Sequence, residues 1–223
     1  MKIVTINGSP KGASGNTGRV LNALMDGARR AGADTQVFQL GELTVKPCTS
    51  CRMCQKVGRC AIDDDYPMIK AAMRETDGIV LASPNYINNV SAQMKAVLDR
   101  SFSMFHCQML AGKYGAAIVT SGGPQYAHVE EYLMHVIGNG GCWKVGSLAV
   151  TEVQFRDPDS QSQALQEAQD LGRDLAAAIE DRMRFPDQEA EREQTFEMMR
   201  WLVEQEKESW PYEYEYWQSH WAV

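Results

Sequence analysis

Four cysteines lie close together in the spacing Cys48-x2-Cys51-x2-Cys54-x5-Cys60. Thiols at every third position let one tight loop direct three sulfurs at a single centre, and the fourth follows after a Val-Gly turn. Structural zinc sites usually pair two C-x2-C units that lie well apart in sequence, so this spacing is less typical of zinc. The grouping predicts a site for metal or redox chemistry, and free thiols remain an open alternative.

The residues around these cysteines are strongly charged. Positive charges at Lys46, Arg52, Lys56 and Arg59 would stabilise thiolates or another electron-rich group. Three aspartates follow at 63–65, and we expect the second or third of them to cap the next helix. The two remaining cysteines, at 107 and 142, are isolated and are predicted to be small buried hydrophobic residues.

A second group of chemically suited residues lies near the start of the chain. Glycines in Gly8–Thr17 let the backbone curl so that several N–H groups converge, and three hydroxyls accompany them. A helix that starts after this loop would add the partial positive charge of its N-terminus. The loop lacks both the G-x-x-x-x-G-K-[ST] pattern and the G-x-G-x-x-G pattern, which excludes an ATP-type P-loop and the NAD fingerprint. It therefore predicts a phosphate site of another kind.

Two further loops suit a flat aromatic ring. Ser83–Asn89 offers the Tyr86 ring as a stacking surface, and Thr120–Pro124 offers backbone donors at Gly122 and Gly123. Each loop taken alone is an ordinary turn sequence. Together with the first loop they predict one ligand-binding edge.

The elements that must position these loops are short apolar strands alternating with helices. Five strands are predicted, at Lys2–Asn7, Thr35–Leu40, Gly78–Ala82, Tyr114–Thr120 and Val145–Val150. Continuous apolar strands without polar alternation are typical of a parallel sheet that is covered on both faces. The prediction is an α/β fold with a doubly wound five-stranded parallel sheet, which binds ligands at the carboxyl ends of its strands.

Three segments carry a family resemblance: GSPKGASGNT, SPNYINNVSAQMKAVLDR and TSGG. They resemble the NADPH-dependent FMN reductase superfamily of flavodoxin-like proteins over about residues 1–150. The resemblance implies that five residues hold the phosphate of FMN: Ser9, Lys11, Ser14, Asn16 and Thr17. It implies that seven others border the flavin ring: Pro84, Asn85, Tyr86, Ile87, Ser121, Gly122 and Gly123.

The cysteine spacing resembles the compact motif of the iron–sulfur flavoproteins, a branch of the same superfamily. That resemblance implies a [4Fe–4S] cluster on Cys48, Cys51, Cys54 and Cys60. The spacing differs from the common ferredoxin run, whose last interval is three residues and which continues with proline. Zinc and free thiols stay open as alternatives.

The resulting prediction is an oxidoreductase that exchanges electrons between FMN and a cluster or a protein carrier of the ferredoxin type. No catalytic side chain is assigned, because flavin chemistry takes place on the ring. One alternative is an NAD(P)H-dependent FMN or quinone reductase without a cluster. Another is a non-enzymatic electron carrier like flavodoxin.

Composition divides the chain into 1–186, with the cysteine loop at 46–62, and an extension at 187–223. The extension has ten acidic and three basic residues and four of the five tryptophans, whereas 1–186 carries 19 charges of each sign. We expect its rings to pack, either on their own domain or in a homodimer or homotetramer.

The net charge of −7 disfavours nucleic acid, and no targeting or membrane-spanning segment is predicted. We therefore expect a cytoplasmic protein with reduced thiols rather than disulfides.

Overall fold

A computed structural model describes residues 1–221 as an α/β sandwich with one parallel sheet in the order β2-β1-β3-β4-β5. Its strands are β1 (Lys2–Asn7), β2 (Asp34–Gln39), β3 (Gly78–Pro84), β4 (Tyr114–Ser121) and β5 (Trp143–Thr151). The central strands β3 and β4 are buried almost throughout, which explains their continuous apolar sequence. The predicted doubly wound sheet is confirmed.

Helices cover both faces of this sheet within the described residues. They are α1 (Asn16–Arg30), α2 (Met53–Val57), α3 (Tyr66–Arg74), α4 (Ala92–Asp99), α5 (Phe102–His106), α6 (Ala127–Asn139), α7 (Glu152–Arg156), α8 (Pro158–Glu180), α9 (Pro186–Gln205) and α10 (Pro211–His220). None of them is both long and apolar enough to cross a membrane.

On one face of the sheet, α1 and α8 pack side by side. Two glycines allow their close approach: a Cβ on Gly27 would lie 2.0 Å from the Gln169 carbonyl oxygen, and one on Gly172 would lie 2.0 Å from that of Leu24. This packing holds α1 rigidly, so its N-terminus is fixed at the carboxyl edge of the sheet.

The opposite face carries the other core, which includes α3 to α6 and the C-terminal extension. At the start of α9, the side chain of Gln188 accepts from the backbone N–H of Lys144 and donates to its carbonyl, both at 2.9 Å. In α10, Trp217 is 2% exposed, and its indole N–H donates to the carbonyl of His106 at 2.9 Å. The extension thus folds back on its own domain.

Candidate functional site

The loop between β1 and α1 is held in shape by Asn7, the last residue of β1. Asn7 is fully buried, and its Oδ1 accepts from the backbone N–H of Ser9 at 3.0 Å. Its Nδ2 donates to the carbonyl of Gly12 at 3.1 Å and to Gln39 Oε1 at 2.7 Å. The sequence predicted Asn7 only as the end of a strand. An amide side chain just before a Gly-Ser turn is nevertheless suited to hydrogen-bond the backbone of that turn.

The N-terminus of α1 faces the cleft that this loop forms. Gly15 is the N-cap residue, and within residues 1–221 no side chain caps the first turn, so its amides are available to an anion. Thr17 Oγ1 lies 2.7 Å from Thr120 Oγ1, which ties the helix to the end of β4. A Cβ on Gly18 would lie 2.5 Å from the Gly12 carbonyl oxygen, so glycine is needed for the loop to fold back on the helix.

A cleft of about 270 Å³ brings most of the predicted cofactor residues together. It is lined by Ser9, Lys11, Ser14, Gly15, Asn16, Thr17, Pro84, Asn85, Tyr86, Thr120, Ser121, Gly122, Val150 and Glu152. All five predicted phosphate residues are in this set. Ile87 and Gly123, predicted at the ring, are not, and Ile87 is fully exposed.

Four lining residues were not named as candidates from the sequence: Gly15 and Thr120, which lie inside two of the predicted loops, and Val150 and Glu152, which do not. Thr120 ends an apolar strand directly before the predicted Ser121. A hydroxyl residue at that position could have been predicted to line the cleft. Val150 and Glu152 lie at the end of β5, a strand whose following loop was not considered although it ends at the same edge.

The Tyr86–Asn89 turn at the mouth of the cleft is strained. Ile87 and Asn88 have φ of +49° and +57°, which is unusual for a β-branched residue such as isoleucine. The backbone groups of Tyr86 and Asn89 bond each other at 2.9 and 3.1 Å, and His128 Nε2 donates to the Asn88 carbonyl. His128 is itself exposed, and this contact helps to hold the turn. Such strain persists only where neighbouring contacts impose it.

The cysteine loop has a similarly strained backbone. Ser50 and Arg52, on either side of Cys51, have φ of +54° and +59°, and Gly58 has φ of +76°. Cys48 and Cys51 are exposed, whereas Cys54 and Cys60 are partly buried. Within residues 1–221, no three Cys, His, Asp or Glu side chains are gathered closely enough to hold a metal ion.

Two cysteines of this loop differ in their electrostatic environment. Hydrogen bonds from the Met53 backbone and the Thr49 side chain lower the pKa of the exposed Cys51 thiol. Burial raises the pKa of Cys54, and the nearby Glu213 carboxylate adds to this increase. The loop therefore offers one thiol that ionises readily and one that does so less readily.

Within residues 1–221, the basic side chains predicted to stabilise the cysteine thiols form no hydrogen bond to them. Lys46, Arg52, Lys56 and Arg59 all have exposed side chains. Arg100 does contact one of these cysteines, because its Nη2 donates to Cys60 Sγ at 3.3 Å. Cys60 also lines a cavity of about 690 Å³ between this loop and α3.

The other charged and sulfur-bearing residues occupy structural positions. Asp64 Oδ1 accepts from the Tyr66 backbone N–H at 3.1 Å, and so supports the start of α3, whereas Asp65 makes no side-chain cap. Cys107 and Cys142 are 0% and 1% exposed, in agreement with their prediction as buried residues.

These features define the class of protein. The strand order is that of a flavodoxin-like fold, and the cleft lies outside the carboxyl ends of β1, β3 and β4, where such folds bind ligands. Residues 1–156 match the family model described as NADPH-dependent FMN reductase, and the chain belongs to this family. It is therefore an oxidoreductase of an FMN-dependent, flavodoxin-like family.

Individual relatives agree with this assignment. An iron-sulfur flavoprotein of Archaeoglobus fulgidus is 33% identical over 189 residues, which cover 83% of this chain and 83% of the relative. An iron-sulfur flavoprotein of Methanocaldococcus jannaschii is 37% identical over 118 residues, covering 53% of this chain and 61% of that protein. The predicted resemblance to the iron–sulfur flavoprotein branch is thus confirmed.

A solved structure shows the same fold. The apo form of an NADH:FMN oxidoreductase has a TM-score of 0.58 and 24% identity, and the match covers 77% of this chain and 88% of that one.

Proposed function

We propose that this chain is a redox protein of the iron–sulfur flavoprotein type, which exchanges electrons between FMN and a [4Fe–4S] cluster or a protein carrier. The observation that supports this best is the position of two candidate sites at one edge of the sheet. The cleft follows β1, and the cysteine loop follows β2, which pairs with β1. Because β1 and β2 are adjacent parallel strands, the two loops leave the sheet at the same edge.

The cleft is suited to the phosphate of FMN. Ser9, Ser14 and Thr17 supply hydroxyls, Lys11 supplies a charge, and the first turn of α1 supplies amides. Tyr86 is 49% exposed at the cleft mouth, where its ring is free to face a flavin. Bound FMN would supply two-electron redox chemistry, and the protein would orient it.

The cysteine loop fits a cluster by its donor chemistry. It offers four thiols within Cys48–Cys60, a coiled backbone and a buried guanidinium at Cys60. Iron–sulfur clusters are held by such sets of four thiolates. Since the described loop does not gather three thiols, we infer that the exposed Cys48 and Cys51 move inward when the site is filled.

A second candidate function is a reductase without a cluster, with NAD(P)H as the hydride donor. The same ungathered thiols favour it, together with the nicotinamide-dependent activity in the family description. Zinc and free thiols are then the alternative states of the cysteines.

Iron analysis of single-cysteine variants separates these proposals. We expect anaerobically purified wild-type protein to contain iron and sulfide, and to show flavin and cluster absorption together. Cys54→Ala should lose most of the iron but retain FMN, because Cys54 is not among the residues that line the cleft. Cys142→Ala, a buried cysteine outside the loop, is the matched control. Wild-type protein with flavin but no iron would favour the reductase, and one zinc per chain would make the site structural.

We also propose that the protein is a homodimer or homotetramer in the cytoplasm, with a ferredoxin-type carrier as a further partner. Trp201 and Met198 on α9 are 63% and 51% exposed and lie three positions apart on the helix, so both offer apolar surface to a second copy. Light scattering should give twice or four times the chain mass of 24.9 kDa, and Trp201→Asp should lower it. A wild-type protein with the mass of one chain would contradict the proposal.

A further inference from the structure

Arg100 lies buried beneath the cysteine loop, directly after α4. Its side chain and that of Asp64 are each 1% exposed, and Arg100 Nη1 donates to Asp64 Oδ2. The guanidinium lies over the Tyr66 ring, 4.4 Å from its centroid, and the Tyr66 hydroxyl donates to the Arg100 carbonyl at 2.6 Å. Both the backbone and the side chain of Arg100 are therefore fixed by the core.

The contacts of this buried pair join the two ends of the cysteine loop. Arg100 Nη1 donates to the Lys46 carbonyl at 3.1 Å, just before the first cysteine. Arg100 Nη2 donates to Cys60 Sγ at 3.3 Å, at the last one. Asp64 Oδ2 accepts from the Lys46 backbone N–H at 2.8 Å. One ion pair thus closes the base of a loop whose outer part is exposed.

We propose that Arg100 is the positioning residue of the cysteine site: it closes the loop before any ligand binds and donates a hydrogen bond to the sulfur of Cys60. That Arg100 closes the loop follows from the contacts of the chain itself. That its hydrogen bond to Cys60 acts on a bound group rests on the proposed function.

The chemistry of the guanidinium explains why arginine occupies this position. Its planar fork presents several donors in fixed directions and keeps its charge at any pH, so one side chain reaches Lys46, Cys60 and Asp64 together. A lysine at this position has one compact ammonium group and cannot span all three. Hydrogen bonds to cluster sulfurs also favour added negative charge, and so raise the reduction potential.

The first experiment uses the metal-free protein and therefore does not depend on the cluster. Lys56 and Arg59 are exposed trypsin sites inside the loop. We expect trypsin to cut there on the order of tenfold faster in Arg100→Lys, because proteolysis follows the population of the open loop. Arg29→Lys, an exposed arginine paired with Asp26, is the matched control. Cleavage of Arg100→Lys at the wild-type rate would overturn the proposal.

A second variant distinguishes opening of the loop from unfolding of the whole domain. Removing one partner of a buried ion pair leaves an uncompensated charge, so Arg100→Gln alone could destabilise the whole domain. The double variant Arg100→Gln with Asp64→Asn removes both charges together. We expect a cooperative thermal transition for the double variant, with faster loop cleavage than in wild type. A double variant that folds and keeps a protected loop would also overturn the proposal.

The second experiment uses protein reconstituted with iron and sulfide. Arg100→Lys should lose iron to a chelator on the order of tenfold faster and should have a lower midpoint potential, with its FMN content unchanged. An unchanged rate and potential would overturn the role at Cys60. If the wild type takes up no iron, the proposed cluster fails, while the cleavage experiment still decides whether Arg100 closes the loop.

Discussion

Trp217→Ala is expected to lower the free energy of unfolding by about 3–5 kcal/mol, the usual loss when a large buried aromatic ring is removed. Trp217 is 2% exposed and lies in tilted contact with Phe196, with 4.8 Å between ring centroids. Its indole N–H would also be lost, leaving the His106 carbonyl without this donor. Urea unfolding followed by circular dichroism measures the effect.

Two further variants separate the contributions to this loss. Trp217→Phe removes the N–H donor and part of the buried indole ring, so the loss should exceed about 1 kcal/mol but stay below that of Trp217→Ala. Gln218→Ala changes an exposed neighbour on α10 and should alter stability by less than about 0.5 kcal/mol. A Trp217→Ala loss no larger than that of Gln218→Ala would mean that α10 is not docked in solution.

The same substitution should also affect the cysteine loop. The Tyr212 ring on α10 lies against Gly58, where a Cβ would come within 2.4 Å of Tyr212 Cε2. Glu213 beside it is fully buried and bonds His106 Nδ1 at 3.0 Å. Loosening α10 therefore removes one wall of the loop, and trypsin cleavage at Lys56 should increase in Trp217→Ala.

The sheet and its ligand edge could be predicted because their signals are local. Runs such as Gly78–Ala82 are apolar throughout, which is typical of central parallel strands, and the structure extends this strand only to Pro84. The loop at Ser9–Thr17 likewise combines its glycines, hydroxyls and helix start in one short segment. Such features need no information about distant residues.

The features that were missed depend on the fold. Arg100 and Asp64 lie 36 positions apart, and nothing in either segment marks them as partners. The Tyr-Glu alternation before Trp217 has a period of two residues, yet this segment forms α10, in which the buried Glu213 and Trp217 lie one turn apart. The tryptophans of the extension predicted a covered surface. Composition cannot tell whether the same chain or a second chain covers it, because both kinds of burial favour the same residues. Only the fold shows that Trp210 and Trp217 pack on their own domain.

The double variant Ser14→Ala with Thr17→Val is expected to bind FMN at least about 100-fold more weakly than wild type. Each hydrogen bond to a charged group contributes about 1.5–3 kcal/mol, and about 1.4 kcal/mol corresponds to a tenfold change in Kd. Quenching of flavin fluorescence during titration into flavin-free protein measures the affinity.

Flavin released from the wild type by heat should be FMN, since the cleft offers one phosphate-sized loop; recovery of FAD would contradict this.

The two hydroxyls must be examined separately, because they differ in what else they do. Thr17 Oγ1 bonds Thr120 Oγ1 inside the protein at 2.7 Å, so its loss can also destabilise the fold. Ser14 is exposed, and its Oγ donates to the Lys11 carbonyl at 2.8 Å within the loop. For FMN the Ser14 hydroxyl would turn from the Lys11 carbonyl to the phosphate, so Ser14→Ala should weaken FMN binding about tenfold or more. The lost bond to Lys11 is exposed, so the thermal stability of the flavin-free protein should change little.

Thermal unfolding provides the independent measurement for this prediction. A ligand that binds only the native state stabilises it by RT ln(1 + [L]/Kd), so FMN at a fixed concentration should raise the Tm of Ser14→Ala less than that of wild type. Ser162→Ala, an exposed serine on α8 that does not line the cleft, should respond to FMN like wild type. If Ser14→Ala and Ser162→Ala both keep the wild-type shift, the phosphate is not held by the Ser14 hydroxyl, and the first turn of α1 and Lys11 must hold it instead.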